Sequence, residues 1–277
     1  MTALTDVPAH SGHGARPPLP ARLAARAWAG DRTLVVFGLA LAALAVVAIA
    51  GLALDPRTLR GVSVWVKPAK FAISLAVLAW TTATVSGFLD AAYRRRSRSM
   101  DVLRGVFLFT ATFEILYITV QAAFGEASHF NRGDAVHATL YSLMGVAALA
   151  LAATQPWLAV LLVRHPGPGL HPALRQAMVL GLWLSFALGA VAGVMMGGGV
   201  PPLNGGLPVL GWTFGTGDLR PAHFVGMHAA QALPLVAAGV VASRWPRATG
   251  LVRVAAAGWV LLFLAALAAA FAGTVDG

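Results

Sequence analysis

The sequence predicts an all-α, polytopic integral membrane protein with seven transmembrane helices, N-terminus inside and C-terminus outside. Three observations predict it. Hydrophobic residues make up 58% of the 277-residue chain and charged residues only 11%, against about 45–50% and about 25% in soluble domains. Seven windows, at 33–54, 70–89, 104–124, 136–163, 176–196, 222–243 and 251–272, each supply the about 20 mostly apolar residues that a spanning helix requires. The basic residues are then distributed unevenly among the connecting segments, and cytoplasmic segments hold the excess of Arg and Lys.

Residues 1–30 read as a flexible basic cytoplasmic tail and residues 31–277 as the membrane domain. The tail carries Arg16, Arg22 and Arg26 among Pro17, Pro18 and Pro20. It has no apolar run and so does not read as a signal peptide. Residues 20–30, around Trp28, are suited to a short basic helix lying on the membrane. With the N-terminus inside, the inner segments hold Arg16, Arg22, Arg26, Arg32, Arg94, Arg95, Arg96, Arg98, Arg104, Arg164, Arg175, Arg244, Arg247 and Arg253, fourteen in all. The outer segments hold six: Arg57, Arg60, Lys67, Lys70, Arg132 and Arg220. That asymmetry accounts for the net charge of +10 without a nucleic-acid partner; the partner it implies is membrane lipid, in a bacterial inner membrane. Four of the six outer charges crowd between the first and second spans, which points to a role for that loop.

The first span carries no polar side chain between Leu34 and Leu54, the fifth only Trp183 and Ser185 beyond Gln176, and the seventh only Trp259 between Val254 and Phe271. These three are expected to face lipid on most sides. The second, third, fourth and sixth carry polar stripes, which turn toward protein because an ionisable group facing lipid is costly. In the second, Lys67, Lys70, Ser74 and Thr81 fall within an arc of about 60° if the helix starts at Lys67. In the third, Thr110, Glu114, Tyr117 and Gln121 do the same, within about 60°. The fourth has His137, Tyr141 and Met144 on one face, and Pro156, which is expected to kink it or end it early. The sixth has His223, Met227 and Gln231 on one face, with His228 beside it.

Topology brings these groups to one level. Lys70, His137 and His223 each open a span from the outer side, and the loop GEASHFNRGD adds Glu126, His129, Asn131 and Asp134. An outer cavity between the second, third, fourth and sixth spans is therefore expected. Imidazoles at one depth on different helices suit haem b or a transition metal (copper, iron or zinc). The candidate ligands are His137, His223, His228 and His129. His223 and His228 are about 140° apart on a regular helix, so only one of them would ligate a given ion. Glu126 and His129 have E-x-x-H spacing, which shares one helical face if the helix persists. Met195, Met196 and Met227 would suit copper, although Met is also ordinary apolar filler.

The first functional expectation is thus a metal- or haem-binding redox protein, a membrane oxidoreductase. Glu126, His129 and Glu114 would be its acid–base groups. Lys67, Lys70, Tyr141, Gln121 and Gln231 would contact the cofactor or a small-molecule or quinone-like substrate. The second is a small-solute or proton-coupled transporter built on Glu114, the only acidic residue deep in a span. The third is a scaffold or assembly subunit of a membrane complex. The largely apolar inner halves of the second, fourth and sixth spans, with Thr84 and Thr154 among few exceptions, count against transport. The nearly uncharged stretch MMGGGVPPLNGGLPVLGWTFGTGD, 195–218, is too rich in Gly and Pro for a helix and reads as a lid or re-entrant segment.

Several chemistries are excluded. Cysteine is absent, which removes disulfides, thiolate metal sites and a cysteine nucleophile. The seventh span has no lysine for a retinal Schiff base. P-loop, dinucleotide-binding and G-x-S-x-G motifs are missing.

Overall fold

The computed structural model describes residues 18–197, 207 and 211–272. Apart from one small hairpin, its regular structure is helical. Six helices are long and apolar enough to cross a membrane, and a bent pair makes a seventh crossing. The chain is an all-α, multi-pass membrane protein.

Of the tail, Leu19–Gly30 forms a helix, α1, which packs against the third helix along the chain. The approach is close: a Cβ on Gly30 would fall 1.9 Å from the Ala83 carbonyl oxygen, so only glycine fits. Asp31 then starts α2, Arg32–Leu54, by accepting a hydrogen bond from the Leu34 N–H at 3.1 Å, which satisfies one of the open donors of the first turn. The Asp31 carboxylate also accepts from Arg104 Nε at 2.7 Å.

The basic loop after α2 has a structural role. Strands β1, Thr58–Leu59, and β2, Val62–Ser63, pair antiparallel around Arg60 and Gly61, both in left-handed conformation at φ 54° and 75°. Such a two-residue turn requires positive φ. Arg57 forks onto Asp55 and reaches the Ala123 carbonyl oxygen at 2.8 Å, while Trp65 Nε1 donates to Asp55 Oδ2 at 2.8 Å. The bond from Arg57 comes first among the causes, followed by that from Trp65, that hold the Asp55 carboxyl far below the usual carboxylate range.

Helix α3, Val66–Ser86, tolerates Pro68 in its first turn, where the missing N–H costs no bond. A short α4, Ala91–Arg96, is capped by Asp90, and α5, Arg98–Phe124, by Ser97. Gly125, at φ 75°, ends α5 with a left-handed cap. Helix α6, Ala135–Arg164, begins at Asp134, which accepts from the Val136 and His137 N–H groups. It runs through Pro156 to Arg164; Pro156 does not end it.

Helix α7, Pro172–Gly197, makes more helix contacts than its apolar sequence suggests. It packs against α6 and against α8 (Arg220–Met227), α9 (Ala229–Ala242) and α10 (Ala248–Phe271). It is the pivot of the second half, yet only 33% of its membrane window is buried, so most of its surface still faces outward as its sequence predicts. The contacts rest on a stripe of small residues, Ala173, Ala177, Gly181, Ser185 and Gly189, all buried, that lets neighbouring backbones approach. A Cβ on Gly181 would lie 2.7 Å from the Ala229 carbonyl oxygen. Helices α2 and α10 are the least buried of the six long helices, and α3 and α6 the most, as their polar content predicts.

The sixth crossing is broken. Helices α8 and α9 meet at His228 with a bend of 48°. Ser185 of α7 serves both sides of the break: its Oγ donates to the Met227 carbonyl and accepts from the Ala230 N–H, each at 2.8 Å.

Candidate functional site

One end of the bundle gathers the start of α3, the end of α5, the start of α6 and α8. Arg57 ties the hairpin loop to α5, and Glu126 ties the loop after α5 to His137 of α6. Tyr141 and Arg132 both reach the Gly197 carbonyl oxygen at the end of α7, at 3.2 and 3.5 Å. Gly215 and Gly217 donate to Ala269 and Ala270 of α10.

Within that end, the residues fall into separate groups. The first is built on α3, α5 and the loop between α5 and α6. Glu114 is 3% exposed on α5. It interacts electrostatically with Lys67 of α3, yet no Lys67–Glu114 contact reaches ion-pair distance within 4.0 Å. Among the described residues, Glu114 Oε1 has no hydrogen-bond donor. One and two turns toward the end of α5, Gln121 Nε2 donates to the Tyr117 hydroxyl at 2.8 Å. Lys67 Nζ sits 5.9 Å from the centre of the Phe71 ring, and the His129 ring packs against Phe71 at 5.8 Å and Tyr141 at 5.9 Å. Burial, and then the charge on Lys67, pull the His129 imidazole down to a pKa of about 3. It is a neutral group that exchanges a hydrogen bond with Ser128 Oγ at 3.2 Å.

The E-x-x-H reading does not survive in helical form. Gly125 stops α5 before Glu126, so Glu126 and His129 share no helical face. Glu126 instead meets His137 Nε2 at 2.9 Å, while Asp134 engages His137 Nδ1. Both ring nitrogens of His137 are therefore occupied by carboxylates at a helix cap. The Asp134 carboxyl lies below its ordinary range, first because of the His137 N–H and then because of the His137 side chain.

His223 and His228 lie on the broken crossing. His223 Nδ1 bonds the Gly189 carbonyl of α7 at 2.9 Å. His228 Nδ1 bonds the Phe224 carbonyl at 2.7 Å, and its ring stacks on Phe224 at 3.9 Å. The structure thus does not converge His129, His137, His223 and His228 on one point. Among the described residues, no three of His, Asp and Glu are grouped to hold a metal ion. Met195 and Met196 are described at the end of α7, whereas residues 198–206 and 208–210 of the Gly-rich stretch lie outside the described residues.

Lys70 belongs to a second group, within electrostatic reach of Arg220 and Asp218. Arg220 grips Asp218 with Nε at 2.7 Å and a terminal nitrogen at 2.6 Å, and Thr213 N–H adds a bond at 2.9 Å. Burial acts to raise the Asp218 carboxyl, but those donors outweigh it and hold it below the usual range. Gln231, on α9, donates to Thr81 Oγ1 of α3 at 3.1 Å and so joins the two halves of the bundle.

The sequence reading passed over Gln155. It is 3% exposed in α6, immediately before Pro156. Its Nε2 donates to Thr154 Oγ1 at 3.1 Å and Thr82 Oγ1 at 3.4 Å, and its Oε1 has no donor among the described residues. The available signal was an amide residue in an apolar span beside a proline. The inner part of the bundle is therefore less apolar than expected, with Thr82, Ser86, Thr154 and Gln155 all buried. A shallow depression of about 500 Å³ lies elsewhere, lined by Trp245, Pro246, Arg247, Gly250, Leu251 and Val254.

Comparison with protein-family models, with curated proteins and with solved structures finds no match.

Proposed function

We propose that this chain carries protons across the bacterial inner membrane, N-terminus inside, with Glu114 as the group that takes up and releases the proton. The observation that carries the reading is the Glu114 carboxylate: almost fully buried in a membrane-spanning helix, open on one oxygen, and near Lys67 without being paired to it. A carboxylate kept only for structure is expected to be closed by donors. Lys67 supplies counter-charge, and neutral His129, with Phe71 and Tyr141, walls the outer approach. The haem or metal alternative draws less support, because among the described residues no three of His, Asp and Glu are grouped to hold a metal ion, and both ring nitrogens of His137 are taken by carboxylates.

The test is proton entry into proteoliposomes that contain a pH-sensitive dye, driven by a potassium diffusion potential. Wild-type protein is expected to admit protons above the rate of empty vesicles, and Glu114→Gln to return entry to that background. Wild-type entry equal to that of empty vesicles, or unaffected by Glu114→Gln, overturns the reading. An absorbance spectrum and elemental analysis of the purified protein test the alternative: a Soret band or stoichiometric metal would restore it.

A further inference from the structure

Helix α9 ends at Ala242 and α10 begins at Ala248. The crossings α5, α6, α7 and α8–α9 separate this junction from α4, so the junction and α4 lie at one end of the bundle. Backbone bonds close it: the Arg244 N–H donates to the Val241 carbonyl at 3.1 Å and the Trp245 N–H to the Val240 carbonyl at 3.2 Å. That pair of bonds is a Schellman closure, whose left-handed residue is most often glycine. Arg244 holds that place, at φ 53°, and Arg247, which precedes α10, has φ 62°. Glycine would adopt both conformations without steric cost, yet the chain carries arginine at each. Both arginines are exposed, and among the described residues neither enters an ion pair. No Asp or Glu occurs in the sequence between Asp218 and Asp276.

Arg247 heads the shallow depression of about 500 Å³ at this junction, a volume within the about 300–1,000 Å³ of small-ligand sites. Its floor is one face of α10, since Arg247, Gly250, Leu251 and Val254 stand at helical positions i, i+3, i+4 and i+7. Gly250 leaves a slot in that face: a Cβ there would meet only the Arg247 Cβ, at 4.0 Å. Trp245 and Pro246 complete the wall, and tryptophan is characteristic of the boundary between water and bilayer. From Arg247 to Val254 the face rises about 10 Å. It runs from a cation to an apolar side chain that is 68% exposed on a membrane-spanning helix.

We propose that this slot binds one anionic glycerophospholipid, its phosphate on Arg247 and the first part of an acyl chain laid over Gly250, Leu251 and Val254. Arg244, on the same turn, strengthens the positive field. A soluble anion would engage the cation and leave the apolar half of the slot empty. A neutral lipid would cover the apolar half and leave the arginines without counter-charge. An acidic lipid matches both halves. Other exposed arginines at this end attract acidic lipid only through the screened field of the surface, whereas the slot adds shape. Its occupancy does not depend on Glu114.

Native mass spectrometry of the full chain in detergent, titrated with phosphatidylglycerol or with phosphatidylcholine of the same acyl chains, reads occupancy lipid by lipid. A tightest-bound phosphatidylglycerol is expected to stay on the chain under conditions that strip phosphatidylcholine. Arg247→Gln is expected to weaken it about fivefold, one cation's share at an anionic membrane surface. Gly250→Leu, which fills the slot without changing a charge, is expected to weaken it at least as much. Arg96→Gln removes an exposed cation of α4 at the same end and is expected to leave it unchanged. Equal retention of the two lipids, equal losses from Arg247→Gln and Arg96→Gln, or an unaffected Gly250→Leu each overturns the site. Displacement of the lipid by excess inorganic phosphate would reassign the arginine to a free anion and overturn the lipid.

Discussion

Asp31 caps α2 with one oxygen and grips Arg104 with the other, and only 2% of its side chain reaches solvent. Asp31→Ala leaves the guanidinium facing a buried gap and strips the helix cap. It is expected to destabilise the protein by about 3 kcal/mol, read as a lowered midpoint of unfolding in detergent. His129 gives a pH signature of definite sign. Its pKa falls from the ordinary 6.5 to about 3 on folding, so the unfolded chain binds the extra proton between those values. The stability it contributes is complete above pH 6.5 and is lost as pH falls from there toward 3, by at most about 1.4 kcal/mol per pH unit. In His129→Phe the acid limb of the stability profile is expected to flatten; an unchanged limb would show that His129 is not the buried neutral imidazole described above. At this scale the sequence was only partly legible. It identified Glu114, Lys67 and His129 by type and depth, because ionisable groups are rare in spans. It could not foresee that His137 would be held between Glu126 and Asp134, since that depends on where Gly125 turns the chain.

The long helices were legible because an apolar run of sufficient length admits little else in a bilayer. Their ends were less so: α5 starts at Arg98, six residues before the apolar window opens, since helix continues into charged sequence wherever a cap such as Ser97 starts it. The break at His228 was not legible. The one cue was Pro234, which has no N–H for the Ala230 carbonyl two residues past the joint, and it does not by itself set a bend at His228. Nor was the role of α7 legible, because a stripe of Ala, Gly and Ser reads equally as lipid-facing sequence. That stripe makes a prediction by contrast. Gly181→Ala places a methyl 2.7 Å from the Ala229 carbonyl oxygen, whereas Gly145→Ala meets nothing within 4 Å. The first is expected to cost about 1–3 kcal/mol. The second is expected to be neutral or to stabilise by up to about 1 kcal/mol. Thermal unfolding of the two variants side by side checks both. If they behaved alike, the close α7–α9 contact would be wrong.

For the whole molecule, the absence of cysteine makes the orientation directly measurable. Gly133→Cys, in the exposed loop between α5 and α6, is expected to react with a membrane-impermeant maleimide on intact spheroplasts. Ala92→Cys, exposed on α4 at the other end, is expected to react only after permeabilisation. The reverse pattern would invert the topology and with it the side from which Lys67 and His129 are reached. One further consequence concerns Ser185. Because its hydroxyl closes the open N–H and carbonyl at the α8–α9 joint, the angle there is held by a neighbour as well as by the segment that bends. A synthetic peptide of residues 219–243 placed alone in oriented bilayers has no such guest hydroxyl, and its bend is expected to relax toward the milder kink that Pro234 imposes by itself.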